Sequence, residues 1–160
     1  MKSMTAPVFV DTNILVYARD AGQPAKQPRA AEILRLLWHN RAGRLSTQVL
    51  QEYYVTVTRR LCPGLPRADA RADLVALQAW QPHSPGPGTF RCAWEVEDRY
   101  GLSWWDSLVI AAASETGAGI LLSEDLQHGQ TFLGLRVLNP FHPDFQMADL
   151  PAGSSRIRNP

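Results

Sequence analysis

The amino-acid sequence predicts an α/β/α sandwich, with helices on both faces of a central, mainly parallel sheet. Short, uninterrupted apolar runs occupy residues 8–10 and 119–122, which is typical of strands that are buried on both faces, and residues 135–138 (LRVL) are expected to form a final strand. Longer segments with apolar residues at helical spacing lie between these runs. Strands that alternate with helices indicate parallel pairing, because each helix carries the chain back across the sheet.

Helices are expected in six places, and several have a clear start or stop signal. Ser46 or Thr47 can cap the third helix, and the Cys62-Pro63-Gly64 sequence ends it. A short strand at residues 44–46 precedes that helix. The expected helical segments are a turn at 14–17 and longer stretches near 28–40, 47–61, 66–80, 89–100 and 105–116.

One domain is expected to span residues 1–140, because a chain of 160 residues suits a single hydrophobic core. Residues 141–160 form a C-terminal tail that we expect to be partly loose, since its end is rich in proline, glycine and serine. No apolar run approaches the roughly 18 residues of a membrane-spanning helix, and the apolar stretch near the N-terminus is too short for a signal peptide. We therefore expect a cytoplasmic protein with no membrane partner.

Composition and charge exclude some kinds of site and favour others. The two cysteines lie far apart and the histidines lack zinc-motif spacing, so neither a disulfide framework nor a zinc site is indicated. Residues 19–71 hold ten basic and four acidic side chains, whereas residues 95–125 hold one basic and seven acidic ones. This asymmetry suits an enzyme that holds cations in one place and a polyanion in another, although two solvated helical faces would give the same counts.

Four acidic residues occupy positions from which they can meet at one edge of the sheet. Asp11 ends the first strand, and Asp125 closely follows the strand at 119–122. Glu52 lies in the helix after the second strand, and Asp106 lies in the first turn of another helix. Because ligands bind beyond the carboxyl ends of the strands in open α/β sheets, these positions predict a site at that edge.

Clustered carboxylates need a counter-charge. Two unit charges about 4 Å apart repel by about 4 kcal/mol at an effective dielectric constant near 20. Either some of the acids bind protons or a metal ion lies among them. Carboxylate oxygens without nearby histidine or cysteine select Mg²⁺ or Mn²⁺. Such a metal suits hydrolysis of a phosphodiester, where it activates a water molecule and stabilises charge on the phosphoryl oxygens.

Each acid alone also has a purely structural explanation. Asp11 could cap the first helix, and Asp106 could interact with a helix dipole. Glu52 and Asp125 could be ordinary solvated positions. Their shared placement relative to the predicted strands is what favours a functional site.

Aromatic and basic side chains are candidate RNA contacts. Trp104 and Trp105 lie beside Asp106 and could line a site, although core packing is preferred for them. Arg59 and Arg60 could contact phosphates, and interaction with the C-terminal end of their helix explains them equally well. Core packing is also predicted for three tryptophans at apolar helical positions or helix ends, Trp38, Trp80 and Trp94.

Four blocks of this sequence resemble, in order, the motif blocks of PIN domains, in particular those of the VapC toxins. The resemblance covers nearly the whole chain up to about Pro140, and four ordered blocks are a specific signal. The blocks are residues 8–13 (VFVDTN), 45–54 (LSTQVLQEYY), 105–113 (WDSLVIAAA) and 121–126 (LLSEDL).

The resemblance implies a PIN-like fold and an RNA endonuclease that uses Mg²⁺ or Mn²⁺. It implies that Asp11, Glu52 and Asp106 hold the metal, with Asp125 as the fourth acid. Glu124 is the alternative for the fourth position, because the acids of that block vary in the family. Thr12 and Asn13 would occupy positions that support the site. Members of the family are commonly homodimers that are inhibited by a small cognate antitoxin protein.

Two rival functions differ in their requirements. An aspartyl-phosphate phosphatase or receiver-like domain also places an aspartate after its first strand, but it needs a lysine in the site. The lysines here, Lys2 and Lys26, precede any suitable strand, which argues against that class. A non-catalytic PIN-fold module that binds RNA or protein is the second alternative. A complete set of mutually repelling acids argues against it, since a module without chemistry has no need to keep them together.

Overall fold

The computed structural model describes residues 5–152, and in it a five-stranded sheet forms the centre of the domain. The strand order is β2-β1-β3-β5-β4, in which all neighbours are parallel except β4 and β5. The predicted α/β fold with a mainly parallel sheet is confirmed. The strands are β1 (Val8–Val10), β2 (Gly43–Arg44), β3 (Ile120–Leu122), β4 (Thr131–Phe132) and β5 (Leu135–Leu138).

Helices cover both faces of this sheet. Val8, Phe9 and Val10 are all completely buried, although successive strand residues face opposite sides of a sheet. Both sides of β1 are therefore covered, as expected for a parallel sheet in a three-layer arrangement. The helices are α1 (Thr12–Tyr17), α2 (Gln27–His39), α3 (Thr47–Val55), α4 (Arg67–Leu77), α5 (Pro87–Tyr100) and α6 (Trp104–Glu115).

The helix starts follow from local capping chemistry. The Ser46 hydroxyl accepts a hydrogen bond from the Val49 N–H at the start of α3, as the sequence predicts. The Ser103 hydroxyl does the same for the Asp106 N–H at the start of α6. Beyond α3 the chain continues as a π-helical turn, Thr56–Arg60, and beyond α4 as a 3₁₀ turn, Gln78–Trp80. These turns extend both helices to nearly the predicted ends.

Strand β4 is the element that the sequence does not predict. It forms a hairpin with β5 through the two residues Leu133 and Gly134, which both have positive φ angles. Two-residue hairpins favour this backbone conformation, but asparagine or aspartate normally occupies the first position. Because leucine rarely adopts it, the Leu-Gly pair carries no recognisable turn signal.

Two tryptophans predicted to lie in the core are exposed. Trp80 is buried, as predicted, but 46% of the Trp38 surface and 53% of the Trp94 surface are accessible. Trp38 lies at the edge of the core, where its ring is 5.8 Å from that of Trp80. Trp94 lies on the outer side of α5, while Ala93 of the same helix is buried against α6. The helical spacing of apolar residues therefore predicted burial for two tryptophans that lie at the margin of the core.

The described part of the C-terminal segment packs on the domain. Phe145 and Leu150 are buried in the main core, on either side of a 3₁₀ turn, Met147–Asp149. Residues 153–160, which make up most of the stretch predicted to be loose, lie outside the described residues. Within residues 5–152, no helix has both the length and the apolar character needed to cross a membrane.

Candidate active site

Asp11 lies at the carboxyl end of β1, between the sheet and helix α1. Its N–H donates to the Leu122 carbonyl at the end of the neighbouring strand β3. Its carboxylate accepts a 2.8 Å hydrogen bond from the Thr12 N–H and another of 2.8 Å from the Ser123 hydroxyl. Only 6% of the residue is accessible. Asp11 therefore caps α1, and it also joins the ends of two parallel strands.

Burial raises the pKa of Asp11 from 3.8 to about 6. The hydrogen bonds from Ser123 and Thr12 act against this shift, because they stabilise the charged form. The negative charges of Asp125 and Glu52 add to it. These three acids are thus close enough to interact electrostatically, as the sequence predicts.

Glu52 extends from α3 towards the same edge of the sheet and is exposed. The Thr12 hydroxyl donates a 2.8 Å hydrogen bond to Glu52 Oε2, which links the first motif block to the second. Gln48, one helical turn earlier, donates to Glu52 Oε1 at 3.0 Å. Both oxygens of this carboxylate are therefore held by neutral donors.

Asp125 follows β3 and is held by the first motif block. Asn13 Nδ2 donates a 3.1 Å hydrogen bond to Asp125 Oδ2, and Asn13 Oδ1 accepts one of 3.3 Å from the Glu124 N–H. The Asp125 N–H donates to the Ser123 hydroxyl. Thr12 and Asn13 thus hold the side chains of two of the candidate acids, Glu52 and Asp125.

Asp106 completes the set from the first turn of α6. Burial raises its pKa, and the charges of Asp125 and Glu52 raise it further, whereas the hydrogen bond with Ser103 lowers it. The same two charges raise the pKa of Asp11, so Asp11 and Asp106 face a common pair of acids. Asp125 and Glu52 are therefore within electrostatic range of both Asp11 and Asp106.

A groove of about 770 Å³ is lined by Glu52 and Asp125, and by Thr12 and Trp105, the chain neighbours of Asp11 and Asp106. Helix α1 forms one wall with Asn13 and Tyr17, and α3 forms another with Glu52. The groove continues along the π-helical turn to Arg60. In the sheet, β1 and β3 are neighbours, with β2 beyond β1 on one side and β5 beyond β3 on the other. The groove lies at the carboxyl ends of β1 and β3, where the connections from these two strands lead in opposite directions. Ligands of open α/β sheets bind at such a switch point.

The candidate acids have the right donor chemistry for a hard metal ion but do not converge on one point. Within residues 5–152, no group of three histidine, cysteine, aspartate or glutamate side chains could hold a metal ion. Mutual repulsion favours the hydroxyl and amide partners described above over close approach of the carboxylates. All four ligands offer oxygen, which suits Mg²⁺ or Mn²⁺. Binding of the metal would require these side chains to turn from their present partners.

Glu124 is engaged away from the groove. Lys26 Nζ lies 2.8 and 2.9 Å from its two carboxylate oxygens, and the Tyr17 hydroxyl donates to it at 3.0 Å. Lys26 is the single lysine among the described residues, and its partner is Glu124 rather than Asp11. It therefore does not supply the site lysine that an aspartyl-phosphate phosphatase needs.

Of the candidate RNA contacts, some line the groove and others do not. Arg60 lines the groove, whereas Arg59 lies outside it. Trp104 is half-buried against Phe90 of α5, with 6.1 Å between ring centres. Trp105 is 63% exposed and lines the groove, so the preference for core packing is wrong for this residue.

Sequence reasoning missed two side chains that position the acids. Ser123 donates to Asp11, and Gln48 donates to Glu52. The position of Ser123 directly after a buried strand, opposite Asp11, could have indicated its role. Gln48 could have been found from its spacing of four residues from Glu52, because residues four apart are neighbours on a helix.

The PIN domain family matches residues 8–131, which is most of the chain. The chain belongs to the PIN domain family. This match confirms the family resemblance that the four motif blocks predict. PIN domains are generally nucleases, and they generally use divalent metal ions, which agrees with the oxygen donors around the groove.

Solved structures show the same fold. A chain of the toxin-antitoxin complex from Klebsiella pneumoniae aligns with a TM-score of 0.63 and 17% identity, over 86% of this chain and 98% of that chain. A chain in the crystal structure of VapBC2 from Rickettsia felis bound to a DNA fragment from their promoter aligns with a TM-score of 0.55 and 18% identity, over 81% of this chain and 96% of that chain. No curated protein sequence matches.

Proposed function

We propose that this PIN domain is a metal-dependent endoribonuclease that hydrolyses RNA phosphodiester bonds. The observation that carries the proposal is the groove at the carboxyl ends of β1 and β3, which Glu52 and Asp125 line, with Asp11 and Asp106 within electrostatic range of both. Mutually repelling acids are costly unless a cation or proton offsets them. Their concentration at the switch point of the sheet supports a catalytic rather than a structural role.

The same four acids would hold the metal, which we propose to be Mg²⁺ or Mn²⁺. When bound, the metal supplies an activated water molecule and neutralises charge on the phosphate. Asp11 is anchored by Ser123 and the Thr12 N–H, so it is the most rigid of the ligands. Thr12 holds Glu52 and Asn13 holds Asp125 in the groove. Arg60, farther along, can bind a neighbouring phosphate.

We also propose that the protein is the toxin of a toxin-antitoxin pair and acts in the cytoplasm. The support is the four-block resemblance to VapC toxins, together with solved structures of the same fold that come from a toxin-antitoxin complex and from VapBC2. A small cognate antitoxin would be its partner. A homodimer is proposed on the same resemblance, and analytical ultracentrifugation of the purified chain tests it.

The alternative function is a non-catalytic PIN-fold module that binds RNA or protein. One observation favours it: no three acidic side chains converge to a metal site within the described range 5–152. In such a module the hydrogen bonds of Thr12 and Asn13 would be purely structural: Thr12 would hold Glu52 of α3, and Asn13 would stabilise the loop after β3 through Asp125.

A cleavage assay separates the two functions. Purified protein is incubated with total RNA and with Mg²⁺ or Mn²⁺, and a chelator should stop cleavage. We expect Asp11→Asn and Asp106→Asn to abolish cleavage while circular dichroism shows an unchanged fold. Asp98→Asn, on the exposed side of α5, is the control that should cleave normally.

Undiminished cleavage by both Asp11→Asn and Asp106→Asn would overturn the assignment of these residues. RNA that is bound but never cleaved with any divalent metal would favour the non-catalytic module. Mapping of the cleavage sites on cellular RNA then identifies the target.

A further inference from the structure

Two adjacent tryptophans at the start of α6 have different surroundings. Trp104 packs against Phe90 and the small cluster of Ala93, Leu108 and Ala111 between α5 and α6. Trp105, one residue later, is 63% exposed. The position of Trp104 is explained by packing between two helices. The exposure of Trp105 has no explanation within the fold.

Trp105 lies in the groove of the candidate active site. It lines this groove together with Glu52 and Asp125, and it directly precedes Asp106 in the chain. In the part of the chain between Thr5 and Ala152, no aromatic pair or cation–π contact includes its ring. Because its indole is exposed and lines the groove, Trp105 is available to a ligand that binds there.

Trp105 differs from the other exposed tryptophans because it lies in the groove. Trp94 is 53% exposed on α5, away from the groove, and Trp38 is 46% exposed but contacts Trp80. Exposure alone therefore does not select a functional residue. Trp105 combines exposure, a free ring and a place beside the acids.

We propose that Trp105 stacks on an unpaired nucleobase of the RNA that occupies the groove. This inference rests on the proposed endoribonuclease function. The groove is lined by the acids Glu52 and Asp125 and also by Arg60, which can bind a phosphate. The flat apolar face of the indole, in a groove that also holds charged groups of both signs, suits a base rather than a phosphate.

Stacking on Trp105 has a consequence for the kind of RNA that is bound. In a duplex both faces of a base are covered by neighbouring bases, so its face is not free to meet an indole. Protein aromatic side chains stack on bases of single strands, loops and bulges. Trp105 therefore selects an unpaired nucleotide next to the phosphate that the acids approach.

The experiment measures RNA binding separately from cleavage. All variants are made in the Asp11→Asn background, so that the RNA is not cut. The probe is a short fluorescein-labelled oligoadenylate, with Mg²⁺ present, and binding is followed by fluorescence anisotropy. We expect Trp105→Ala to weaken binding roughly tenfold, since stacking on one base contributes about 1–3 kcal/mol. Trp105→Phe should retain most of the affinity, and Trp94→Ala, the matched control, should retain all of it.

Probes with one abasic nucleotide identify the base. With Trp105 present, one abasic position should weaken binding much more than its neighbours do. In Trp105→Ala that position should lose its special effect. As a second measurement, oligoadenylate should quench tryptophan emission in the Asp11→Asn protein, and Trp105→Phe should remove most of the quenching.

Equal affinities of Trp105→Ala and Trp94→Ala for the probe would overturn the proposal. Equal effects of an abasic nucleotide at every position would also overturn it. These outcomes are distinct from failure of the proposed function, because that failure appears as absence of cleavage by the unmodified protein. The binding assay can detect stacking on Trp105 whether or not the unmodified protein cleaves RNA.

Discussion

The Ser123 hydroxyl donates a 2.8 Å hydrogen bond to Asp11 Oδ2 and joins the carboxyl ends of β1 and β3. The two residues are 112 positions apart in sequence, yet their strands pair directly, with Val10 opposite Leu122. Both residues are buried. The hydrogen bond stabilises the charged form of Asp11, and that is the form in which a carboxylate binds a metal ion.

Replacement of Ser123 should weaken metal binding. Ser123→Ala removes a donor that lowers the pKa of Asp11, so a smaller fraction of Asp11 is ionised near neutral pH. It also frees the Asp11 side chain to rotate. We expect Mn²⁺ affinity to fall about tenfold, as is usual when a partner of a metal ligand is lost. Isothermal titration calorimetry with Mn²⁺ measures this change.

Ser107→Ala is the matched control for that experiment. Ser107 is also completely buried, and its hydroxyl has no hydrogen-bond partner among the described residues. Its removal should leave Mn²⁺ affinity unchanged. Similar affinities for Ser123→Ala and Ser107→Ala would contradict a role of Ser123 in holding Asp11.

Asp11 should make the metal-free protein less stable as the pH rises from about 4 to about 6. Its pKa is about 6 in the folded protein and 3.8 for an unperturbed aspartate, so between these values the folded state binds more protons than the unfolded state. Stability then falls with rising pH, and the shift corresponds to about 3 kcal/mol in total. The loss is nearly complete about one pH unit above the folded-state pKa.

Urea denaturation with chelator present, at a series of pH values, tests this dependence. The stability of Asp11→Asn relative to the unmodified protein should grow across the same window, because asparagine does not ionise. Parallel pH profiles for the two proteins would show that the Asp11 carboxylate is not destabilised by its surroundings.

The fourth metal ligand should be Asp125 rather than Glu124. Glu124 is held by Lys26 and Tyr17, whereas Asp125 lines the groove. Asp125→Asn should weaken Mn²⁺ binding, and Glu124→Gln should leave it nearly unchanged. Because Lys26 and Glu124 are partly exposed, loss of their ion pair should cost no more than about 1 kcal/mol of stability. The opposite order of Mn²⁺ affinities, again by calorimetry, would make Glu124 the ligand.

The parallel sheet and the placement of Asp11 and Asp125 at one of its edges were predictable from the sequence because their signals are local. Buried strands need continuous apolar runs, and strand ends mark the edge where Asp11 and Asp125 lie. The hairpin of β4 was missed because its turn uses Leu133, whose backbone conformation is unusual for leucine. Here the tertiary structure overrides the preference of the residue.

The details of the site were less predictable because they depend on contacts between distant parts of the chain. The engagement of Glu124 depends on Lys26, 98 residues away. The exposure of Trp105 depends on the way in which α5 covers Trp104 but not its neighbour. Helical spacing cannot separate two adjacent tryptophans near the margin of an apolar face, and the packing partner decides between them.

Arg60 and Arg59 should differ in their contribution to RNA binding. Both are exposed at the end of the π-helical turn, but only Arg60 lines the groove. Each phosphate contact with a single strand adds about 0.7 to the slope of log affinity against log salt concentration. Arg60→Ala should therefore reduce the magnitude of the slope by about that amount, and Arg59→Ala should change it little. The measurement is anisotropy with labelled oligoadenylate at several salt concentrations, in the Asp11→Asn background. Equal slopes for the two variants would mean that the pair contributes only diffuse charge, and that RNA does not follow the groove as far as Arg60.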